Sequence, residues 1–364
     1  MTAARTEAGG GALAAPASGV SPPGQSGTPV PGRRSAPTSR LGGKGFGYRL
    51  LRQREASIVF VGVLLFAIFS VLSHGTFDSV QNWGGVSSAA AELGIVTVGV
   101  ALLMICGEFD LSVGANFSFA ALVMAMMIQD HYSTIAAIAA CLGIGAGIGL
   151  VNGLVTVFLD IPSFITTLGT FFLWTGVTLI VTGGETVTIL PPVPQLLNVL
   201  GGTMAGQIRA EVVWWLGLAL AVGILLHRTV TGNWMFAVGG KRFAAVEAGV
   251  PVVRTRILAF VLCGIFAAFA GAVQLGHLDS MSASFGTTYQ LEAIAASVVG
   301  GCALTGGRGS MLGAVVGTLI LEMLDSGLIL SNVSSYWYEA VVGIILIAAV
   351  AMHTRLGQLG MGGA

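Results

Sequence analysis

The sequence predicts an all-α membrane protein, a polytopic bundle of about ten transmembrane helices. Hydrophobic residues make up 54% of its 364 residues and charged residues only 9%, whereas a soluble domain carries roughly 25% charge. At ~20 residues per spanning helix, the chain has room for about ten spans and their connections. The 54 glycines favour closely packed helices, because small residues let backbones approach each other in lipid.

The N-terminal segment is rich in small and polar residues and cannot bury enough apolar surface to offset the entropy of ordering it. We therefore predict a disordered basic cytoplasmic tail over 1–50, a transmembrane domain over 51–356 and a short cytoplasmic tail over 357–364. The first apolar run begins at Ile58, which is too deep in the chain for a secretory signal.

Ten apolar segments follow this tail. They are placed at 56–73, 85–106, 113–129, 134–158, 163–182, 212–228, 257–276, 290–305, 310–330 and 336–353. With the N-terminus inside, ten crossings leave fifteen of the sixteen Lys and Arg on the cytoplasmic side and only Arg209 outside. This count agrees with the bias of Lys and Arg towards the cytoplasm, and it places both termini there.

The connection over 183–211 is the long external one and contains three prolines. It is either a simple surface loop or a surface that receives a binding protein from outside.

Two short polar breaks, GEFDLSVG at 107–114 and LTGGRGS at 304–310, interrupt the apolar pattern in a similar way. Similar breaks in two halves of a chain are a weak pointer to transporter repeats. Gly107 allows a helix to end in a left-handed turn, and Asp110 or Ser112 can cap the next helix. A role in lining a solute path is equally open for Asp110 and Ser112.

Charged groups within the spans are expected to have a structural or functional role, because placing a charge at the bilayer centre costs about 2.5–3.5 kcal/mol. Glu92, Glu292 and Glu322 lie deepest, and each either lines a polar path or holds a contact between helices. Several hydroxyl and amide groups suit a polyhydroxylated solute. The substrate-path candidates are Asp110, Ser112, Asn116, Asn152, Ser163, Thr166, Thr167 and Glu292.

Glycines at four-residue spacing predict faces where helices meet closely. One row is Gly145, Gly149 and Gly153, and the other is Gly309, Gly313 and Gly317. These faces meet either within one chain or across a dimer. The four cysteines lie in or beside apolar segments and are read as reduced packing residues, with no metal site.

Enzyme motifs are missing from the sequence. It contains no G-x-x-x-x-G-K-[ST], no H-E-x-x-H and no G-x-S-x-G, and its five histidines are scattered. We predict no catalytic residue, no cofactor and no nucleic-acid partner. Active transport would draw its energy from another subunit or from an ion gradient.

The segment 228–256 separates two groups of apolar segments and carries five of the cations. Within it, KRFAAVEAG reads as a short helix, because Gly249 can form a left-handed C-terminal cap and Pro251 prevents continuation. Phe243 and Val246 contribute to an apolar side. That side either docks in a groove of a partner or rests on the membrane surface.

Five motifs in this order resemble the permease subunits of the ribose, xylose and galactose ABC importers over about residues 56 to 353. They are GEFDLSVG, IPSFITTLGT, GNWMFAVGGKRFAAVEAGV, LEAIAASVVGGCALTGGRGS and LDSGLILSNVSSYW. The resemblance implies a multi-pass permease of the bacterial plasma membrane. It also implies a second permease chain in a homodimer or heterodimer, cytoplasmic ATPase subunits and an extracytoplasmic sugar-binding protein.

The resemblance further implies that 228–256 is the coupling loop, where the ATPase contacts the permease. The candidate contacts are Gly239, Gly240, Lys241, Arg242, Phe243, Ala245, Glu247 and Gly249. The flanking Arg228, Arg254 and Arg256 are then chiefly topological anchors.

Three residues depart from the pattern of that family. Glu108 stands where glycine is usual, Gln290 where an acid is common and Val342 where lysine is frequent. These departures bear on the substrate rather than on the class of transporter. Two other classes remain as alternatives: an ion-coupled secondary sugar transporter with Glu292 or Glu322 as proton carrier, and a membrane scaffold that recruits a soluble protein.

Overall fold

The computed structural model describes residues 54–206 and 208–361, so the predicted tail over 1–50 lies outside the described residues. Helices dominate the described chain. They are α1 (Arg54–Leu72), α2 (Val80–Ile105), α3 (Val113–Gln129), α4 (Thr134–Phe158), α5 (Ser163–Thr182), α6 (Gln195–Gly201), α7 (Ala210–Arg228), α8 (Val230–Gly240), α9 (Arg242–Glu247), α10 (Val252–Leu278), α11 (Tyr289–Val299), α12 (Met311–Leu330) and α13 (Tyr336–Met361).

Each of the ten predicted apolar segments overlaps a helix. Within the described residues, six helices are long and apolar enough to cross a membrane, namely α2, α4, α5, α7, α10 and α12. Shorter apolar stretches lie in α1, α3 and α13. The protein is therefore a multi-pass membrane protein, whereas the count of ten spans is not confirmed. One segment is shorter than predicted: α11 ends at Val299, because Gly300 follows and Gly301 has a left-handed φ of 88°.

The described chain is predominantly helical, as predicted, and it also contains short strands that the sequence analysis did not predict. Four short strands are β1 (Val187–Thr188), β2 (Thr203–Ala205), β3 (Ile208–Arg209) and β4 (Ser280–Met281). β1 pairs antiparallel with β4, and β2 pairs antiparallel with β3. Together with α6, the strands β1 to β3 give the predicted external connection a folded form, which we call the cap (residues 187–206 and 208–211).

The centre of the bundle is α2, whose most apolar 18-residue window is 94% buried. It packs against α10, α12, α7 and α11. A helix that is hydrophobic all round is stable only when neighbours surround it. By contrast, the corresponding window of α5 is only 17% buried, so α5 lies at the periphery of the chain.

The glycine rows meet neighbours within the same chain. A Cβ at Gly145 or Gly149 would overlap the backbone of α10, at Gly264 and Phe260 respectively. A Cβ at Gly313 or Gly317 would overlap the backbone at Gly300 and Ala296. Close helix packing, as predicted, therefore joins α4 to α10 and α12 to the end of α11.

Changing Gly149 to Ala should destabilise the fold by about 1–3 kcal/mol, because the new methyl group collides with the Phe260 carbonyl of α10. The matched control is Gly147→Ala on the same helix, where no described atom lies within 4 Å of an added Cβ. Thermal denaturation in detergent measures the difference. Equal melting temperatures for the two variants would contradict close packing of α4 on α10.

Candidate functional site

The predicted coupling loop over 228–256, called the coupling loop below, contains two short helices, α8 and α9. The predicted helix at 241–249 is confirmed over α9, whereas α8 lies in a stretch that was expected to be loop. Thr229 starts α8 by accepting a hydrogen bond from the Gly232 N–H at 3.1 Å. Lys241 separates the two helices in an extended conformation.

The end of α9 is capped as the sequence predicted. Gly249 has a φ of 77°, and its N–H donates to the Val246 carbonyl at 2.9 Å. The N–H of Val250 donates to the Ala245 carbonyl at 3.0 Å. This pair of hydrogen bonds is the Schellman arrangement, which fixes where the helix stops and where the chain turns back into α10.

The outer face of α9 is displayed to its surroundings. Phe243 is 86% exposed and Val246 is 59% exposed, whereas Ala245 is buried beneath them. Lys241 and Glu247 are also exposed. An apolar pair at this exposure, flanked by charges, gives α9 the character of a docking element.

Behind α8, the two polar breaks of the sequence meet the coupling loop at a backbone contact that we call the glycine junction (Gly107, Gly239, Gly306 and Gly307). A Cβ at Gly239 would overlap the carbonyl of Ile105 and crowd the N–H of Gly307. The Gly307 N–H in turn donates to the Ile105 carbonyl at 2.8 Å. Gly107, Gly306 and Gly307 all have left-handed φ values, which glycine adopts without strain.

A buried carboxylate reinforces this junction. Glu108 is 4% exposed, and its Oε1 accepts hydrogen bonds from Arg242 Nη2 at 2.6 Å and from Arg256 Nε at 2.7 Å. Arg256 is itself only 7% exposed. Because a buried charge is tolerated only when it is paired, Glu108 and Arg256 require each other.

This pairing corrects the view of Arg256 as chiefly a topological anchor. It also gives Glu108 a defined partner in the loop. Arg254 remains exposed, as expected for an anchor.

The inner polar residues form a closed hydrogen-bond network rather than an open channel in this chain. Ser112 Oγ donates to Asp110 Oδ1 at 2.6 Å, and Asn152 Nδ2 donates to Ser112 Oγ at 2.7 Å. Thr170 Oγ1 completes the chain by donating to Asn152 Oδ1 at 2.8 Å. Burial raises the pKa of the Asp110 carboxyl, although hydrogen bonds from Ser112 and Asn152 act to lower it.

The other substrate-path candidates hold backbone groups of the first break and its neighbours. The Phe109 N–H donates to Ser163 Oγ at 3.1 Å, and the Leu111 N–H donates to Thr167 Oγ1 at 3.0 Å. Asn116 Nδ2 donates to the Gly264 carbonyl at 3.0 Å. These hydrogen bonds hold α5 against the first polar break and α10 against α3.

Two candidates differ from the rest. The Thr166 hydroxyl is buried and has no hydrogen-bond partner within the described part of the chain. Glu292 is buried beside a cavity of about 260 Å³ that Thr288, Tyr338 and Glu339 also line. The role of the whole set in a solute path stays a prediction.

The family model described as the branched-chain amino acid transport system / permease component matches residues 82–350. The chain belongs to this permease family. The matched range includes the glycine junction, the coupling loop and the inner network. Membership of the family confirms the resemblance to import permeases that the motifs predicted. It also implies ATPase and binding-protein partners in general terms.

Curated relatives cover most of the chain. The xylose/arabinose import permease protein of Sulfolobus acidocaldarius is 32% identical over 84% of this chain and 87% of its own length. The autoinducer 2 import system permease protein of Klebsiella pneumoniae is 36% identical over 85% and 89%. The ribose import permease protein of Escherichia coli K12 is 32% identical over 87% and 99%. No solved structure matches the chain.

One cluster was missed by sequence reasoning. Glu92 on α2, Glu211 on α7 and His277 on α10 lie together, although they are far apart in the sequence. The sequence did contain one sign of this cluster, because Glu92 is an acid within an apolar segment. The partners could not be identified, because the histidines were treated as scattered.

Removing the Glu108 carboxylate should destabilise the protein more than a surface change does. Glu108→Ala leaves Arg256 buried and unpaired, at a cost of about 3–5 kcal/mol. The matched control is Glu185→Ala, since Glu185 is exposed. Melting temperatures in detergent give the comparison.

A double variant sharpens this test, because Glu108→Ala and Arg256→Ala remove the two halves of one contact. The loss in the double variant should be clearly smaller than the sum of the single losses. Additive losses would show that the two side chains are energetically independent.

Proposed function

We propose that the chain is the transmembrane permease subunit of an ATP-binding cassette importer that carries a monosaccharide such as ribose, xylose or galactose. The observation that carries this proposal is the family match over residues 82–350, together with relatives named for the import of ribose and xylose/arabinose. Separate ATPase subunits hydrolyse the ATP, in line with the lack of a phosphate-binding motif in the sequence.

In the proposed topology, the chain crosses the plasma membrane of a bacterium ten times with both termini in the cytoplasm. The transmembrane domain extends over 51–356 and the coupling loop over 228–256. The distribution of Lys and Arg supports this orientation, since it keeps all but Arg209 on one side. The cap then lies outside, where a sugar-binding protein delivers the solute.

In the proposed coupling mechanism, α9 sits in a groove of the ATPase. Phe243 and Val246 fill the groove, and Lys241, Arg242 and Glu247 make polar contacts at its rim. Gly239 and Gly240 connect α9 to the glycine junction, while Ala245 and Gly249 hold its shape. When the ATPases close on ATP, α9 moves, and the junction passes that movement to the ends of α2 and α12.

The exposure of Phe243 supports this role, because burying such a side chain in a partner is worth about 1.5–3 kcal/mol. A helix resting on the membrane surface would use the same apolar face. The adjoining contact of Arg242 with Glu108 favours a docking role, because it ties α9 to the first polar break, so that a movement of α9 is passed on to that break.

The solute path is proposed to pass along the predicted polar side chains of the spans, with Asp110 towards its inner end and Glu292 towards its outer end. Only weak contacts are needed there, since tight binding would trap the solute. An ion-coupled transporter is not favoured, because the relatives are permeases of import systems.

Phe243→Asp should abolish ATP-dependent sugar uptake and co-purification of the ATPase, because a carboxylate in the groove would have to be desolvated. Membrane insertion and melting temperature should stay at the wild-type level, since Phe243 makes little contact within the chain. Uptake of labelled ribose, xylose and galactose in proteoliposomes measures the effect.

Two controls accompany this variant. Phe243→Leu keeps an apolar side chain and should retain the ATPase, and Tyr132→Asp places a charge on an exposed aromatic position outside the loop. Normal uptake with Phe243→Asp would refute the assignment of α9 as the ATPase contact.

A further inference from the structure

A second polar cluster lies away from the coupling loop, where α2, α7 and α10 meet beneath the cap. Ligand atoms of Glu92, Glu211 and His277 all lie within 4.8 Å of one another. His277 Nδ1 is 2.7 Å from Glu92 Oε1 and 3.4 Å from Glu211 Oε2. Arg209 of the cap adds its Nε at 3.4 Å from Glu211 Oε1.

The cluster places acidic side chains beside basic ones. Two carboxylates face one guanidinium and one imidazole, so groups of both signs lie in the cluster. A cation would compete with Arg209, and an anion would be repelled by Glu92 and Glu211. A neutral ligand meets neither obstacle.

A cavity of about 320 Å³ opens beside the cluster. Its polar walls are Ser88, Glu92, Thr203, Arg209, Gln274 and His277. Gly85 and Thr203 are exposed, so the cavity reaches the surface of the chain. Its volume is at the lower end of the range for small-molecule sites, about 300–1,000 Å³.

Gln274 is a second, independent feature of this cavity that suits a polar ligand. Its side chain lines the cavity and is only 8% exposed, and its Oε1 has no hydrogen-bond partner within the described residues. Buried polar atoms in folded proteins are nearly always hydrogen-bonded. The neighbouring atoms cover this oxygen, and turning the Gln274 amide would let it accept a hydrogen bond from a ligand in the cavity.

The mixture of groups matches one class of ligand. Glu92 accepts hydrogen bonds, Arg209 donates them, and Ser88 and Gln274 do both. Sugar hydroxyls also donate and accept, so each wall of the cavity has a complementary group. The inner network around Asp110 and Asn152 is by contrast already satisfied within the protein.

We propose that this cavity is a binding site for a neutral polyhydroxylated solute the size of a monosaccharide, formed beneath the cap by Ser88, Glu92, Arg209, Gln274 and His277. The proposal rests on the proposed transport function, because that function supplies the solute class. In the proposed topology the site lies in the outer half of the membrane, where an arriving sugar is met first.

A cysteine at Thr203 tests the site directly, because Thr203 lines the cavity and is exposed. The four native cysteines are all buried, so a charged methanethiosulfonate reagent should report on an introduced thiol. In proteoliposomes of the full chain, Thr203→Cys should be labelled, and saturating ribose, xylose or galactose should slow that labelling. Met204→Cys, at the neighbouring exposed position that does not line the cavity, should be labelled at a rate that sugar leaves unchanged.

A second substitution tests the role of the Gln274 amide. Gln274→Met in the Thr203→Cys background removes the amide at similar length and should raise the sugar concentration for half-protection about tenfold. Gln290→Met is the matched control, since Gln290 also has an unpartnered Oε1 in the described chain but lies outside this cavity.

The outcomes separate the site from the transport function. No labelling of Thr203→Cys, no protection by any of the three sugars, or protection by Zn²⁺ in place of sugar would overturn the proposed site. Protection without ATP-dependent uptake would support the site and count against the importer function. Protection that Gln274→Met weakens and Gln290→Met leaves intact is the result we expect.

Discussion

The arrangement of the coupling loop depends on one buried carboxylate. Glu108 lies at the first polar break, and its Oε1 binds one arginine from α9 and one from α10. Removed from water, that charge is tolerated only while the arginines stay in place. The glycines beside it allow the backbones of both breaks to touch the end of α8. The loop and the ends of α2 and α12 are thus held as one unit, which suits a part that receives force from a partner.

Two polar regions of the chain have opposite characters. The inner network around Asp110, Ser112 and Asn152 satisfies its own hydrogen bonds and connects α3, α4 and α5. The outer cavity retains an unpaired amide at Gln274 and opens to the surface. A closed network gives rigidity, whereas an open one offers groups to a ligand. This difference favours initial contact with the solute beneath the cap.

The positions of the helices could be predicted because an apolar run of spanning length is a local property of the sequence. The cap at Gly249 was predictable for the same reason, since a glycine followed closely by a proline marks a helix end. The strands of the cap were missed because each is only two or three residues long. The glycine rows indicated close packing, but their partners, and the pairing of Glu108 with Arg256, join residues distant in sequence and are decided by tertiary packing.

The amount of ATP consumed per sugar imported tests the central claim that Glu108 joins the ATPase contact to the spans. The Glu108→Gln variant keeps the shape of the side chain and removes its charge, so it can be reconstituted with the ATPase subunits and compared with the wild type. If Glu108→Gln loosens the junction, the ATPases should still bind the permease and hydrolyse ATP. The variant should then use more ATP for each sugar imported than the wild type does. An unchanged ratio at a normal rate of hydrolysis would contradict the claim.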